Sequence, residues 1–129
     1  MTNKELDVII TNISKIIRGR HGNWEFEIDT TQFICLTDEY HNRMRIISPI
    51  TEVTEISSEQ ILKCMEANFH TALDTKYAIS NGVLWSVFIH PLKELSQKQV
   101  IDAISQVYSS VRTFGTTYSS SNLIFPKST

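Results

Sequence analysis

An Asn-Gly pair at positions 81 and 82 separates two runs of β-branched and aromatic residues, Tyr77 to Ser80 and Val83 to Ile89. A two-residue Asn-Gly connection favours a type I′ turn, because the twist of that turn matches the twist of two antiparallel strands. The sequence therefore predicts a β-hairpin, and the fold of this chain has to include an antiparallel sheet.

Two helix starts, one on each side of the hairpin, carry complete capping signatures. Ser57 with Gln60, and Ser96 with Gln99, each fit a capping box, in which two side chains bond to free backbone amides of the first turn. The matching hydrophobic staples are Ile56 with Ile61 and Leu95 with Val100. The apolar stripes that follow at helical spacing are Ile61, Leu62, Met65, Phe69 and Leu73, and then Val100, Ile104, Val107, Tyr108 and Val111. We therefore predict a helix before the hairpin and another after it.

The chain begins with a third apolar stripe at helical spacing, made of Leu6, Ile9, Ile10, Ile13, Ile16 and Ile17. Lys15 and Arg18 fall in the predicted last turn, where cations suit the negative end of the helix dipole. Gly19 is predicted to cap this helix and to begin a turn that ends at Gly22. The spacing thus predicts one helix from the N-terminus to about residue 18.

Residues 24–50 change to a two-residue period. The alternation of apolar and acidic residues over 24–29 predicts a strand with one dry face and one wet face. Phe33 to Thr37 predicts a second strand, apolar on both faces, and Arg43 to Ile50 predicts a third. Pro49 has no amide hydrogen, so we expect it at a strand end or at a sheet edge.

The predicted element order is α-β-β-β-α-β-β-α. We expect an α+β fold, with a five-stranded antiparallel sheet and three helices mainly on one face. Residues 1–115 are predicted to form a single domain, and residues 116–129 a polar C-terminal tail. Within that tail, Leu123 to Phe125 is expected either to pack back on the body or to add a short strand.

The last predicted strand is apolar on both faces. Val83, Trp85, Val87 and Ile89 point to one side, and Leu84, Ser86, Phe88 and His90 to the other. Because the first set is the larger apolar row, two possibilities stay open for Leu84 and Phe88: an exposed patch that marks an interaction surface, or simple burial under a helix. Three helices are too few to cover both faces of such a sheet. The second helix, the tail, a second copy of the chain or a partner protein is therefore expected to complete the cover.

Composition and charge exclude several classes of function. The chain has 129 residues and a net charge of −2, without the basic excess that a dedicated nucleic-acid binder needs. No apolar run approaches the ~20 residues of a membrane helix, and the N-terminus lacks the order of a signal peptide. Two cysteines are too few for a disulfide scaffold. We therefore expect a cytoplasmic protein with neither a nucleic-acid nor a membrane partner.

No catalytic or metal-binding motif is present in the sequence. The four histidines lie about twenty residues apart, without H-x3-H or HExxH spacing, and no glycine motif for phosphate occurs. We therefore predict no enzyme activity, no metal and no cofactor. One alternative stays open: a small-ligand or enzymatic domain built from His70, His90 and an acidic residue. Another is that Lys15, Arg18 and Arg20 contact an anion, a nucleic acid or an acidic partner.

Three local segments resemble one known family. They are residues 66–70 at the end of the second helix, residues 77–85 in the hairpin, and His90-Pro91-Leu92 with Leu95-Ser96 before the last helix. Together with the element order, they resemble the type III secretion chaperone-like fold, including its YbjN-like bacterial branch. The resemblance implies a homodimer that holds a segment of an unidentified partner protein in extended form, without chemistry. By position, the residues implied for the dimer or partner interface are Leu62, Met65 and Phe69, or Leu84 and Phe88.

Overall fold

The computed structural model describes residues 1–121, which form three helices and six strands. The helices are α1 (Asn3–Ile13), α2 (Ser58–His70) and α3 (Gln97–Thr113). The strands are β1 (Lys15–Arg20), β2 (Asn23–Ile28), β3 (Thr31–Asp38), β4 (Arg43–Glu52), β5 (Lys76–Ser80) and β6 (Val83–His90). The predicted α+β class and its three helices are confirmed, but the sheet has six strands and not five.

The six strands form one antiparallel sheet in the order β1-β2-β3-β4-β6-β5. Register pairs run across it as continuous rows of side chains on each face. One row is Trp24, Cys35, Ile46 and Phe88, and the row on the opposite face is Glu25, Ile34, Ile47 and Val87. All three helices pack against the face of the first row, which we call the covered face. The other is called the open face.

The core on the covered face is divided into two clusters. The larger cluster holds α1 and α3 against the middle of the sheet, around Trp24, Phe26 and Phe33. The smaller one holds α2 against β5 and β6, around Tyr77 and Leu84. Helix α2 therefore has its own small contact area at one end of the sheet, apart from the main core.

All three helices begin with a capping box. The boxes predicted at Ser57 and Ser96 are both formed, with each serine accepting from the backbone amide three residues on. A third, which the sequence reading missed, joins Thr2 and Glu5 at the start of α1. Each cap is typically worth ~1 kcal/mol of helix stability, so the helix starts are fixed locally.

The predicted first helix is too long by about five residues. Helix α1 ends at Ile13, because Ser14 is extended (φ −141°, ψ 171°) and its amide and hydroxyl both donate to the carbonyl of Ile10. The following residues form β1, in which Ile16 pairs with Phe26. The predicted turn at 19–22 is a tighter one, since Arg20 already pairs with Asn23 and Gly22 takes a φ of +88°.

Pro49 lies inside β4 and not at its end. Strand β3 pairs with β4 from the pair Asp38 and Arg43 to the pair Ile34 and Ile47. Pro49 lies beyond the last of these pairs, so β3 does not pair with it. On its other side Pro49 faces Trp85 of β6, next to a register shift. At Pro49, therefore, β4 is next to a bulge and is unpaired on its β3 side. A sheet tolerates a missing amide hydrogen at such a position.

The first residues of the predicted tail lie against the body. Tyr118 is buried in the α2 cluster, and Ser120 donates its amide to the carbonyl of Thr71. The serine hydroxyl also accepts from the amide of Leu73. The domain boundary at residue 115 stays a prediction, and Leu123 to Phe125 fall outside the described residues.

Candidate protein-binding site

Helix α2 presents large apolar side chains to solvent. It packs on the sheet through two small residues, Cys64 and Ala67. Its other side carries Leu62 (59% exposed), Met65 (49%) and Phe69 (67%), which we call the α2 stripe. Exposed large apolar groups that lie next to each other are the usual mark of an interaction surface.

The α2 stripe follows directly from helix geometry. Positions 62, 65 and 69 are separated by three and four residues, so they lie on one side of the helix. Cys64 and Ala67 lie on another side, where their small volume lets the helix approach the sheet closely. The family resemblance implied Leu62, Met65 and Phe69 as one of two sets of interface residues. The structure leaves all three accessible, and their binding role stays a prediction.

Of the two possibilities left open for Leu84 and Phe88, the structure shows burial and not an exposed patch. Leu84 is 1% exposed and packs in the α2 cluster, while Phe88 is 5% exposed and packs in the main core. The physical reason is register. Phe88 pairs with the buried Ile46, while Arg43 and Arg45 lie on the other face of β4 and are exposed, so the Phe88 face of β6 turns inward.

The open face of the sheet carries the row that was expected to be covered. Its apolar side chains are half-buried by one another, except for the exposed Ile89; they are Ile34, Leu36, Ile47, Val83, Trp85 and Val87. No helix among residues 1–121 packs against them. The expectation that the sheet is apolar on both faces is confirmed, with the two faces of β6 exchanged.

The β5 edge of the sheet is closed by α2. The Asn68 side chain accepts from the Tyr77 amide (2.8 Å) and donates to the Tyr77 carbonyl (3.0 Å), as a neighbouring strand would. The Lys76 ammonium donates to the carbonyl of Asn68 in α2 and to the carbonyls of Ala72 and Leu73 just after it. Partial burial lowers the pKa of Lys76. Another strand cannot pair here without displacing these contacts.

The β1 edge is open and basic. Within residues 1–121, β1 pairs only with β2, so its outer side offers unpaired backbone groups. A register shift between Ile16 and Arg18 changes which way the side chains point. As a result Lys15, Arg18 and Arg20 all lie on the open face, opposite Glu27, Glu25 and Asn23 of β2. We call these three cations the basic edge.

Sequence reasoning missed this edge, because it assigned residues 15–18 to the first helix. The signals for a strand were present. Two adjacent β-branched residues, Ile16 and Ile17, are followed by Gly22, which lies two residues before Trp24, where the alternating strand begins. The stripe of six isoleucines and leucines fits a helix equally well. Only the pairing of Ile16 with Phe26 decides between the two.

The two histidines proposed for a ligand site lie in separate local settings. The His70 ring contacts Phe69 on α2, and its Nδ1 is buried without a hydrogen-bond partner among the described residues. The His90 ring stacks on Phe88, 5.8 Å between centroids, and its Nδ1 lies 2.8 Å from the carbonyl of Pro91. None of these contacts joins the two rings in one site.

His90 lines a pocket of about 230 Å³ together with Asp74 and Asp102, and His70 is not part of it. The Gln106 amide donates to both carboxylates, at 2.9 Å from Asp74 and 2.8 Å from Asp102. Gln106 also accepts from the Asp74 amide. These bonds tie α3 to the loop before β5, so the acidic pair is explained by helix attachment.

Both thiols are buried, and we expect them to be unreactive in the folded protein. Burial raises the pKa of Cys35 to about 12 and that of Cys64 to about 11. At pH 8, therefore, both thiols are held almost entirely in the protonated form, and the thiolate, which is the reactive form, is scarce. Labelling with an aromatic disulfide reagent should be very slow in buffer and complete for both thiols in guanidinium. Fast labelling of Cys64 in buffer would contradict the packing of α2 described above.

Two further features bear on function. Among residues 1–121, no three His, Cys, Asp or Glu side chains come together as a metal-binding group. No helix in that part of the chain has both the length and the hydropathy required to span a bilayer. The absence of a metal and a cofactor in the function stays a prediction.

No protein-family model and no curated protein matches the chain. Solved structures do match it. SchA, in the HopA1–SchA chaperone–effector complex, has a TM-score of 0.65 at 12% identity, over 87% of this chain and 94% of that one. The Yersinia pestis type III secretion chaperone SycH, in complex with a stable fragment of YscM2, has a TM-score of 0.64 at 13% identity, over 87% and 98%.

ExsC, in the ExsC–ExsE complex, has a TM-score of 0.55 at 9% identity, over 70% of this chain and 74% of that one. All three are type III secretion chaperones, so the structural similarity to that group extends over most of the chain. At such low identities the similarity shows the fold. The resemblance that the sequence indicated is thereby confirmed at the level of fold.

Proposed function

We propose that this protein is a non-enzymatic, chaperone-like module that forms a homodimer and holds an extended segment of a partner protein. The observation that carries the proposal is the α2 stripe, three adjacent large apolar side chains on a helix that needs only Cys64 and Ala67 to pack on its own sheet. The predicted cytoplasmic location and the YbjN-like relationship belong to the same proposal.

A second copy of the chain suits the α2 stripe because Leu62 and Phe69 lie about one helical turn on either side of Met65. In a two-fold dimer the same surface patch meets itself. If two α2 helices pack antiparallel with the axis near Met65, Leu62 of one copy lies beside Phe69 of the other. Both copies then bury the same three side chains.

A partner segment suits the β1 edge. Extended peptides bind to sheets by pairing with an unpaired edge strand. Of the two edges, β5 is occupied by Asn68 and α2, whereas β1 is unpaired on its outer side within the described residues. The structural similarity to chaperones in complex with an effector or with a protein fragment supports a protein partner.

The first test is the mass of the protein in solution. Sedimentation equilibrium is expected to give twice the monomer mass of 14.8 kDa at micromolar concentration, with dissociation on dilution. The dimer is expected to resist high salt, because apolar contacts are not screened. Monomer alone at all concentrations up to the highest soluble one would contradict the dimeric part of the proposal.

A further inference from the structure

The geometry of β1 points to the chemistry of the partner segment: we propose that the basic edge selects an extended segment with acidic residues at alternating positions. This inference rests on the proposed function and deepens it. Its first support is the register shift at Ile17. Without that shift, Lys15 and Arg18 would point to opposite faces of the sheet; with it, three cations line one face.

The second support is the neighbourhood of these cations. On the inner side, Lys15 has Glu27 opposite and Arg18 has Glu25, with 3.8 Å between the Arg18 and Glu25 charged groups. On the outer side, no strand of the described residues lies opposite any of the three. The Arg18 side chain is 80% exposed. Opposite charges directly across a strand pair stabilise it and like charges destabilise it, so an incoming acidic strand is favoured and a basic one is disfavoured.

Strand β2 already shows what such a segment looks like. Its residues 24–29 alternate apolar and acidic side chains, with the apolar ones on the covered face. A segment of the same pattern on the outer side would place its carboxylates beside the basic edge. Its apolar residues would lie on the side of Ile16.

The same charge argument separates this occupant from the others. Two copies of β1 paired antiparallel would bring two basic edges close together, and the repulsion between them disfavours a second chain at this edge. The chain's own tail, residues 122–129, contains one lysine and no acidic residue. A nucleic acid would follow the cations but would also meet Glu25 and Glu27 on the same face, within a chain of net charge −2.

The test uses three capped eight-residue peptides in which valine alternates with glutamate, with glutamine or with lysine. Binding to the full chain is measured by titration, and hydrogen exchange locates it. The glutamate peptide is expected to bind roughly tenfold more tightly than the lysine peptide. It should slow exchange of backbone amides in residues 15–20, and its affinity should fall as salt rises.

A charge-swapped variant tests the basic edge without removing its pairs. Lys15→Glu with Glu27→Lys, and Arg18→Glu with Glu25→Arg, keep the net charge and both cross-strand pairs. The swap should reverse the preference, so that the lysine peptide binds more tightly than the glutamate peptide. The matched control is Lys63→Glu with Glu66→Lys on the exposed side of α2, which should leave the preference unchanged.

The contrary results are distinct from one another. Equal binding of all three peptides would overturn the charge inference and leave the holding function standing. The assignment to this edge would be overturned if the charge swap left binding of the glutamate peptide unchanged, or if no peptide bound. The dimer is judged separately, by sedimentation. If a single-stranded oligonucleotide bound more tightly than the glutamate peptide, the edge would be a general anion site. If deletion of residues 122–129 raised the affinity for all three peptides, the edge would be assigned to the tail.

Discussion

Replacement of Phe88 by alanine is expected to lower the free energy of unfolding by about 3–5 kcal/mol, as for other buried phenylalanines. Phe88 lies in the row that crosses the covered face beside Ile46, and its ring stacks on His90. Removal of the ring leaves a cavity between the sheet and the helices of the main core. Urea unfolding followed by circular dichroism measures the change, since a shift in midpoint at constant slope reports stability.

The adjacent residue provides the control for this prediction. Ile89 lies on the opposite face of the same strand and is 52% exposed, so Ile89→Ala is expected to cost less than about 1 kcal/mol. Both substitutions delete apolar atoms from β6, and only the face differs. An equal or larger loss for Ile89→Ala would mean that the two faces of β6 are assigned the wrong way round.

The inward face of β6 shows where single-sequence reasoning stops. Two-residue alternation sorts the strand into two sets, but both sets contain large apolar residues. Counting favoured the set with Trp85 and Val87, whereas the sheet buries the set with Leu84 and Phe88. The deciding contact is the pairing of Phe88 with Ile46, some forty residues away in sequence. No local pattern contains that information.

The helix starts show the opposite case. A capping box involves residues only three apart, and both predicted boxes, at Ser57 and Ser96, are formed. The end of α1 is intermediate. Ser14 terminates the helix by local bonds to Ile10, yet the next two isoleucines fit either a helix or a strand until β2 is in place. Local chemistry is therefore readable from the sequence, and pairing between distant strands is not.

The candidate site shows the same difference between local features, which the sequence indicates, and features that depend on distant contacts. The α2 stripe was predictable in part: its three residues belong to the five-residue apolar stripe that the helical spacing indicated, and the family resemblance implied them as interface residues. The exposure of this stripe to solvent was not predictable from the sequence, because a helix that faces the core would show the same stripe of Leu62, Met65 and Phe69. The helix instead uses Cys64 and Ala67 against the sheet. The basic edge required both the extra strand and its register shift, neither of which the sequence indicated.

Phe69→Lys is expected to weaken the dimer by at least about 30-fold, because a loss of ~1 kcal/mol at each of the two copies of Phe69 in a two-fold interface amounts to ~2 kcal/mol. Lysine suits this position in the isolated monomer. Phe69 is 67% exposed and lies one residue before the end of α2, where a cation is favourable with the helix dipole. The stability of the monomer should therefore change by less than about 0.5 kcal/mol.

Sedimentation equilibrium of the wild-type protein and of Phe69→Lys separates these two effects, with urea unfolding as the check on stability. The matched control is Val8→Lys, which places the same charge on an apolar residue of α1 that is 56% exposed and lies outside the α2 stripe. If Val8→Lys weakens the dimer and Phe69→Lys does not, the second copy binds at the groove between α1 and α3, lined by Val8, Ile13 and Ile101. Helix α2 would then be free to contact the partner protein, and the assignment of the α2 stripe to the dimer would be wrong.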